Sequence, residues 1–271
     1  MNKELIVLNV IERIESRLEK KENISVDEVA DISGFTKRYI QKIFKEQTKM
    51  NISSYIKRRR LTKAAILIKL TKKSIYHIAM ELHFSTQQAF TRAFSREFNV
   101  TPFNFRNSEH FDYSRLLPNW AIKLCDYSIK KTQIPPLKLN LESFYFDVSL
   151  LDNSSARVNK FRFSEINKVI SNEKDVVIVT TIEPNSKSEN IVRLHARIGY
   201  KDTENYNFQT SVSTCWEITY SGKWEDYVRF GRLFVLELEF HSLMYFIEII
   251  KASKKTSVEK FYDVKIYLPT N

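Results

Sequence analysis

A helical pattern occurs twice in the N-terminal half of this chain, and the repeat restricts the fold there to two copies of one supersecondary unit. Ser25, Val26, Val29, Ala30 and Phe35 recur 49 positions later as Ser74, Ile75, Ile78, Ala79 and Phe84. After one inserted residue, Ser85, the correspondence continues at 50 positions, with Ile40, Ile43 and Phe44 matched by Phe90, Ala93 and Phe94. Each copy reads as a polar cap, a short helix, a corner plugged by phenylalanine, and a second helix. That is the pattern of a helix-turn-helix.

The helix ends are written in the side chains. Leu5, Leu8, Ile11, Ile14 and Leu18 recur at three- and four-residue steps, predicting an amphipathic helix over 3–21. Ser25 with Glu28 is a capping-box pair that satisfies free amides at a helix start. Gly34 can take the left-handed conformation that ends that short helix, and Phe35 fills the corner. Thr36 caps a second helix to about Gln47, which buries Ile40, Ile43 and Phe44 and exposes Lys37, Arg38, Gln41 and Lys42. In the second copy Ser74 caps a helix bearing Ile75, Ile78, Ala79 and Leu82, and Ser85 with Gln88 forms another capping-box pattern. The helix that follows buries Phe90, Phe94 and Phe98 and exposes Gln87, Gln88, Thr91 and Arg92. Glutamine matches the N6 and N7 edge of adenine and arginine the O6 and N7 edge of guanine, so these faces suit duplex DNA.

Residues 52–70 read as one helix between the copies, roughly 28 Å long at the usual rise per residue. That approaches the roughly 34 Å between successive major-groove turns on one face of DNA. Such a strut places two reading helices on the same face of a duplex. Lys57, Arg58, Arg59 and Arg60 lie on it, and Lys37, Lys57, Arg58 and Thr91 are the expected phosphate contacts. Charge agrees with this placement. The whole chain is +11, and residues 1–110 hold 21 Lys and Arg against 12 Asp and Glu, a net +9.

Other chemistries find little support. Cys125 and Cys215 are far apart and read as reduced thiols of a cytoplasmic protein. No zinc spacing, phosphate loop or Ser/His/Asp grouping is present, so no metal, cofactor or catalytic residue is expected. Charges at Lys3, Glu4, Glu12 and Arg13 interrupt any signal-peptide core. The most apolar stretch, Leu233 to Ile250, holds Glu237, Glu239, His241 and Glu248, which excludes an ordinary membrane span.

The run Ser53 to Leu61 and the run Phe84 to Phe94, closing with Phe98 and Thr101-Pro102, resemble the signature of the AraC/XylS family of transcription regulators. Placement of the helical part first, with a longer domain after it, is similar to the Rob-like branch. The resemblance covers about residues 5–107. It implies monomeric binding to an asymmetric promoter site, two major-groove insertions, and activation through RNA polymerase. By position it assigns base contacts to Arg38, Gln41 and Lys42 and to Gln88, Ala89 and Arg92, with Gln87 beside them. Relatives carry tryptophan at Arg38, arginine at Lys42 and threonine at Ala89. An indole favours thymine methyls whereas arginine favours guanine or phosphate, so the preferred bases are expected to differ.

The expected organisation is an all-α DNA-binding domain over 1–107 with two helix-turn-helix units, a polar linker over 108–117, and an α+β domain over 118–271 with a mostly antiparallel sheet. Strands are expected over 120–126, 144–150, 176–181, 191–200, 211–220 and 263–268, and helices over 164–171 and 224–236. Val258 to Tyr262 and the closing Tyr267-Leu268-Pro269 resemble, more distantly, gyrase-inhibitor-like effector domains. That resemblance implies an aromatic pocket for a hydrophobic or cationic small molecule, with Trp216, Tyr220, Trp224 and Tyr245 lining it and Glu217 as partner of a cation. Trp216 and Tyr220 also alternate as core residues would, and Glu217 falls on the opposite face. Two alternatives stand beside sensing: a domain that serves protein contacts only, and a small-molecule hydrolase, as in a minority of that family.

Overall fold

The computed structural model describes residues 3–108, 115–117, 120, 127–149, 156–170, 174–184, 191–224, 227, 245–253 and 261–270. The helical part runs α1 (Lys3–Glu19), α2 (Val26–Ser33), α3 (Lys37–Thr48), α4 (Ile52–Leu70), α5 (Ile75–Glu81), α6 (Gln87–Phe98) and α7 (Pro102–Asn107). Its caps follow the sequence closely. The Glu28 amide donates to the Ser25 hydroxyl at 3.2 Å, and the Ser25 amide donates to the Glu28 carboxylate at 2.8 Å. Gly34 ends α2 at φ 72°.

Within the helices two expectations need correction. Leu5 is more than half exposed, and the inward stripe of α1 is instead Ile6, Val7, Val10, Ile11, Ile14 and Leu18. That set keeps the 3.6-residue period where a stripe begun at Leu5 drifts from it. The cap of α6 is Thr86, whose hydroxyl accepts from the Ala89 amide at 3.0 Å, not Ser85. The inserted residue lies between Phe84 and the cap, which lengthens the second corner by one position. His83, at φ 60°, there takes the left-handed conformation that Gly34 takes in the first corner.

Helix α4 is shared by two cores. Ile52, Tyr55 and Ile56, in its N-terminal half, pack with buried residues of α1, α2 and α3. Leu61, Ala64, Ala65, Leu67 and Ile68, in its C-terminal half, pack with α5, α6 and α7. The second core is a chain of rings, with Phe94 centred 5.5 Å from Phe90, 4.6 Å from Phe98 and 5.2 Å from Phe105. Burying each such side chain stabilises the fold by about 1.5–3 kcal/mol.

The second half of the chain forms one antiparallel half-barrel sheet: β1 (Tyr127–Ile134), β2 (Lys138–Ser149), β3 (Val176–Pro184), β4 (Ile191–Lys201), β5 (Phe208–Gln209), β6 (Ser213–Lys223), β7 (Tyr245–Ser253) and β8 (Phe261–Pro269), with α8 (Ala156–Ile170) between β2 and β3. The strand order is β1-β6-β8-β7-β3-β4-β2-β5. It reads alike from both ends: β3 and β7 pair at the centre, each is flanked by the strand that follows it, and β2 and β6 lie outside. β1, β5 and β7 were not expected. β7 escapes a search for alternation because Ile247, Ile249 and Ile250 are buried on both of its faces. Residues 121–126 of the strand expected over 120–126 and most of the helix expected over 224–236 lie outside the described residues, as do Cys125 and His241.

Helices and sheet meet at a small apolar contact. Leu70, closing α4, packs with Ile182 of β3, and Leu194 and Phe246 lie against the pair. Leu116 and Leu117, in the segment expected to be polar linker, are buried. The Leu117 amide donates to the Thr62 hydroxyl at 2.9 Å, and Trp120 stacks on Tyr55 with centroids 4.7 Å apart. Among the described residues no helix is long and apolar enough to cross a membrane, and no group of three or more His, Cys, Asp or Glu could hold a metal ion.

Candidate nucleic-acid interface

α3 and α6 are both short, capped by a threonine, and buried on one side only. Thr36 caps α3, whose Ile40, Ile43 and Phe44 face the core. The opposite side presents Arg38, Gln41 and Lys42 to solvent. Lys37, at the first turn, sits 2.7 Å from Asp27, both half or more exposed, and Lys42 is 3.9 Å from Glu46. Such solvent-facing pairs contribute little and separate readily when a phosphate competes. On α6, Phe90, Phe94 and Phe98 face inward. Gln87, Gln88 and Arg92 are exposed, and with the half-buried Thr91 they line one open depression. The residues expected at base edges are therefore gathered on one face of each helix.

The basic run on α4 divides differently from the sequence expectation. Lys57 is exposed. Arg58 donates through Nε to Glu97 of α6 at 2.6 Å. Arg59, 1% exposed, makes a forked pair with Glu15 of α1 at 2.7 and 2.8 Å and donates to the Leu117 carbonyl. Arg60 reaches Asn23, after α1, at 2.8 Å. Successive positions on a helix point about 100° apart, so three adjacent guanidiniums clasp three different elements. The expectation that Arg58 faces the duplex meets a side chain already engaged with Glu97.

The side chains expected to line one effector pocket are split by the alternation of β6. Trp216, Tyr220 and Trp224 belong to the side that packs against Tyr227 and Tyr262. Glu217 and Tyr245 lie on the other, where Glu217 meets Lys130 at 3.1 Å and Lys265 at 4.0 Å. Burial would raise the Glu217 pKa, but the Tyr267 hydroxyl and the two lysines hold it below the ordinary carboxylate value. The buried carboxylate on the aromatic side is Glu248, which sequence reasoning passed over. Arg162 of α8 donates to its two oxygens at 2.8 and 3.0 Å, and the Tyr227 hydroxyl donates to one of them. Burial and the adjacent carboxylate push the Tyr227 pKa far up, so its hydroxyl stays protonated and donates. The available signal was a lone charge between Phe246-Ile247 and Ile249-Ile250.

Comparison with known proteins agrees with the helical half. A family profile described as a helix-turn-helix domain matches residues 15–108. The chain is 31% identical over 201 residues to YkgA of Escherichia coli, described as an HTH-type transcriptional regulator, covering 73% of this chain and 83% of that protein. It is 38% identical over 107 residues to the regulatory protein SoxS of Salmonella typhimurium, covering 40% of this chain and 98% of SoxS. It is 35% identical over 115 residues to the transcriptional regulator Rob of the same organism, covering 42% of this chain and 39% of Rob.

Proposed function

The chain belongs to the AraC/XylS family of transcription regulators, and from that premise we propose that it binds an asymmetric promoter site on duplex DNA as a monomer and activates transcription. In this reading α2–α3 and α5–α6 are two helix-turn-helix units, and residues 1–107 are the DNA-binding domain. α3 enters one major groove with Arg38, Gln41 and Lys42. α6 enters the next with Gln87, Gln88 and Arg92. Lys37, Lys57 and Thr91 contact phosphates, and Arg58 is left out because Glu97 engages it. The observation that carries the reading is the exposed, chemically matched polar face on each of two helices held by the shared strut α4. RNA polymerase is the partner that the family implies.

The test is selection of bound sequences from random duplexes by the full chain, with stoichiometry read by light scattering. One protein on an asymmetric site, with two specified patches one helical turn apart, is the expected result. Two proteins on a palindrome, or a single specified patch, would reject two-unit reading.

Two substitutions give sharper expectations. Arg92→Ala should weaken the selected site by about 1–3 kcal/mol and erase preference at one base pair, read by competition among single-base variants of the site. A loss equal for every sequence would remove Arg92 from base reading. Lys57→Ala should weaken all duplexes alike and reduce the slope of log affinity against log salt by about 0.9, the release expected for one phosphate contact. Arg58→Ala should leave that slope unchanged, because its charge is already balanced within the protein; a slope change as large as that of Lys57→Ala would place it on the duplex.

For the sheet domain the reading is regulation, by a small hydrophobic or cationic molecule or by a protein partner. Glu217 is paired with Lys130 and Glu248 with Arg162, so a cationic ligand would have to displace an existing cation at either carboxylate. A cationic dye series in a thermal-shift assay separates the two: a ligand that binds only the folded state must raise its apparent stability.

A further inference from the structure

The loop that leads from α1 into the first helix pair touches the second pair directly, at a point the strut does not require. The loop after α1 turns at Lys21, φ 58°, and the corner after α5 turns at His83, φ 60°. These two left-handed residues face each other. The His83 ring donates through Nε2 to the Lys21 carbonyl at 2.7 Å; a carbonyl only accepts, so this nitrogen carries the proton. The Lys21 ammonium lies 2.6 Å from Glu81 of α5, and Lys73 pairs with the other oxygen of the same carboxylate. Arg60 of α4 holds the loop from beneath through Asn23. The corresponding position in the first corner is Gly34, which takes φ 72° freely. A histidine held in that conformation costs backbone energy, and its ring bridges to the other unit.

We propose that the Lys21–Glu81–His83 contact is a register clamp: it fixes α3 and α6 relative to each other and so sets the spacing between the two base sequences that the protein accepts. The proposal rests on the two-unit reading above. One base pair added between two boxes moves the second by about 3.4 Å and turns it by about 34° around the duplex. Hydrogen bonds to base edges do not survive such a displacement, so a clamped pair of units must give up one box. An unclamped pair, joined by α4 and by Leu116 and Leu117 along its side, can follow the DNA.

The experiment compares the wild-type chain with Lys21→Asn/His83→Asn. Both residues are exposed, and asparagine tolerates the left-handed conformation, so the corners keep their geometry while both side-chain ties are removed. Affinity is measured for the selected duplex and for versions with one base pair inserted or deleted between the boxes. Wild type should lose about tenfold or more at either altered spacing, as for a mismatch of one to a few base pairs. The variant should lose only about twofold, with its affinity for the unaltered duplex reduced far less than by Arg92→Ala. Should the double variant fail to fold by circular dichroism, His83→Asn alone serves, with an intermediate spacing penalty expected. A variant as strict in spacing as wild type overturns the clamp and leaves two-unit reading intact. Wild type indifferent to spacing overturns both.

Discussion

Arg59→Met should destabilise the full chain by about 3–5 kcal/mol in urea unfolding followed by near-ultraviolet circular dichroism. Arg59 and Glu15 are 1% and 3% exposed, and the guanidinium covers both carboxylate oxygens and the Leu117 carbonyl. Removing it strands a buried charge that water cannot reach, and the Tyr55 hydroxyl, 2.8 Å from Glu15, compensates only in part. Glu15→Leu combined with Arg59→Met should recover most of the loss, because an apolar pair of similar volume replaces the ions without leaving either behind. Equal losses for the single and double variants would mean that packing, not the stranded charge, sets the cost. The same pair predicts an acid dependence. Burial alone would raise the Glu15 pKa, but Arg59, with Lys63 and Tyr55, holds it below the ordinary 4.5. Its contribution is therefore complete above pH 4.5 and lost as pH falls through the lowered folded value. The double variant should lack that component of acid sensitivity.

In the sheet, Arg162→Met is expected to cost about 3 kcal/mol, the lower end of the range for breaking a buried pair, because the arginine retains 19% exposure against 3% for Glu248. Glu248 lies on the central strand pair, between Ile247 and Ile249 and opposite Ile178 of β3, so an unpaired carboxylate there opposes formation of the middle of the sheet. Glu248→Gln with Arg162 intact should cost less than Arg162→Met, since the amide still accepts from Tyr227 and Arg162 can reach water. Affinity for the selected duplex, measured at a temperature where Arg162→Met is folded, should remain at the wild-type value. A loss below about 1 kcal/mol for Arg162→Met would show that Glu248 is solvated, and the account of the pair would fall.

These two pairs also mark where sequence reasoning reached its limit. A run such as Lys57-Arg58-Arg59-Arg60 announces charge but not direction, and direction is what separates a phosphate contact from an internal clasp. The helix period assigns each residue a bearing around α4. Whether a carboxylate waits at that bearing depends on Glu15, Asn23 and Glu97, which lie 37 to 44 positions away in the chain. His83 lies at the surface, and its bond to the Lys21 carbonyl depends on a residue 62 positions away. On the sheet, the alternation of β6 was readable and correctly put Glu217 opposite Trp216 and Tyr220. The gathering of five residues into one pocket fails for that same reason.

What the amino-acid order determined by itself is local. Capping hydroxyls at Ser25, Thr36, Ser74 and Thr101, the left-handed Gly34, and the 3.6-residue stripes of α3 and α6 act over one or two helical turns. The repeat could be recognised because each copy satisfies these short-range conditions separately. Tertiary structure decided what those elements face: which guanidiniums turn inward, which carboxylate is buried under α8, and how the two corners meet. Charge pairing and burial depend on distance in space, and in a folded chain that distance is set by packing rather than by separation along the sequence.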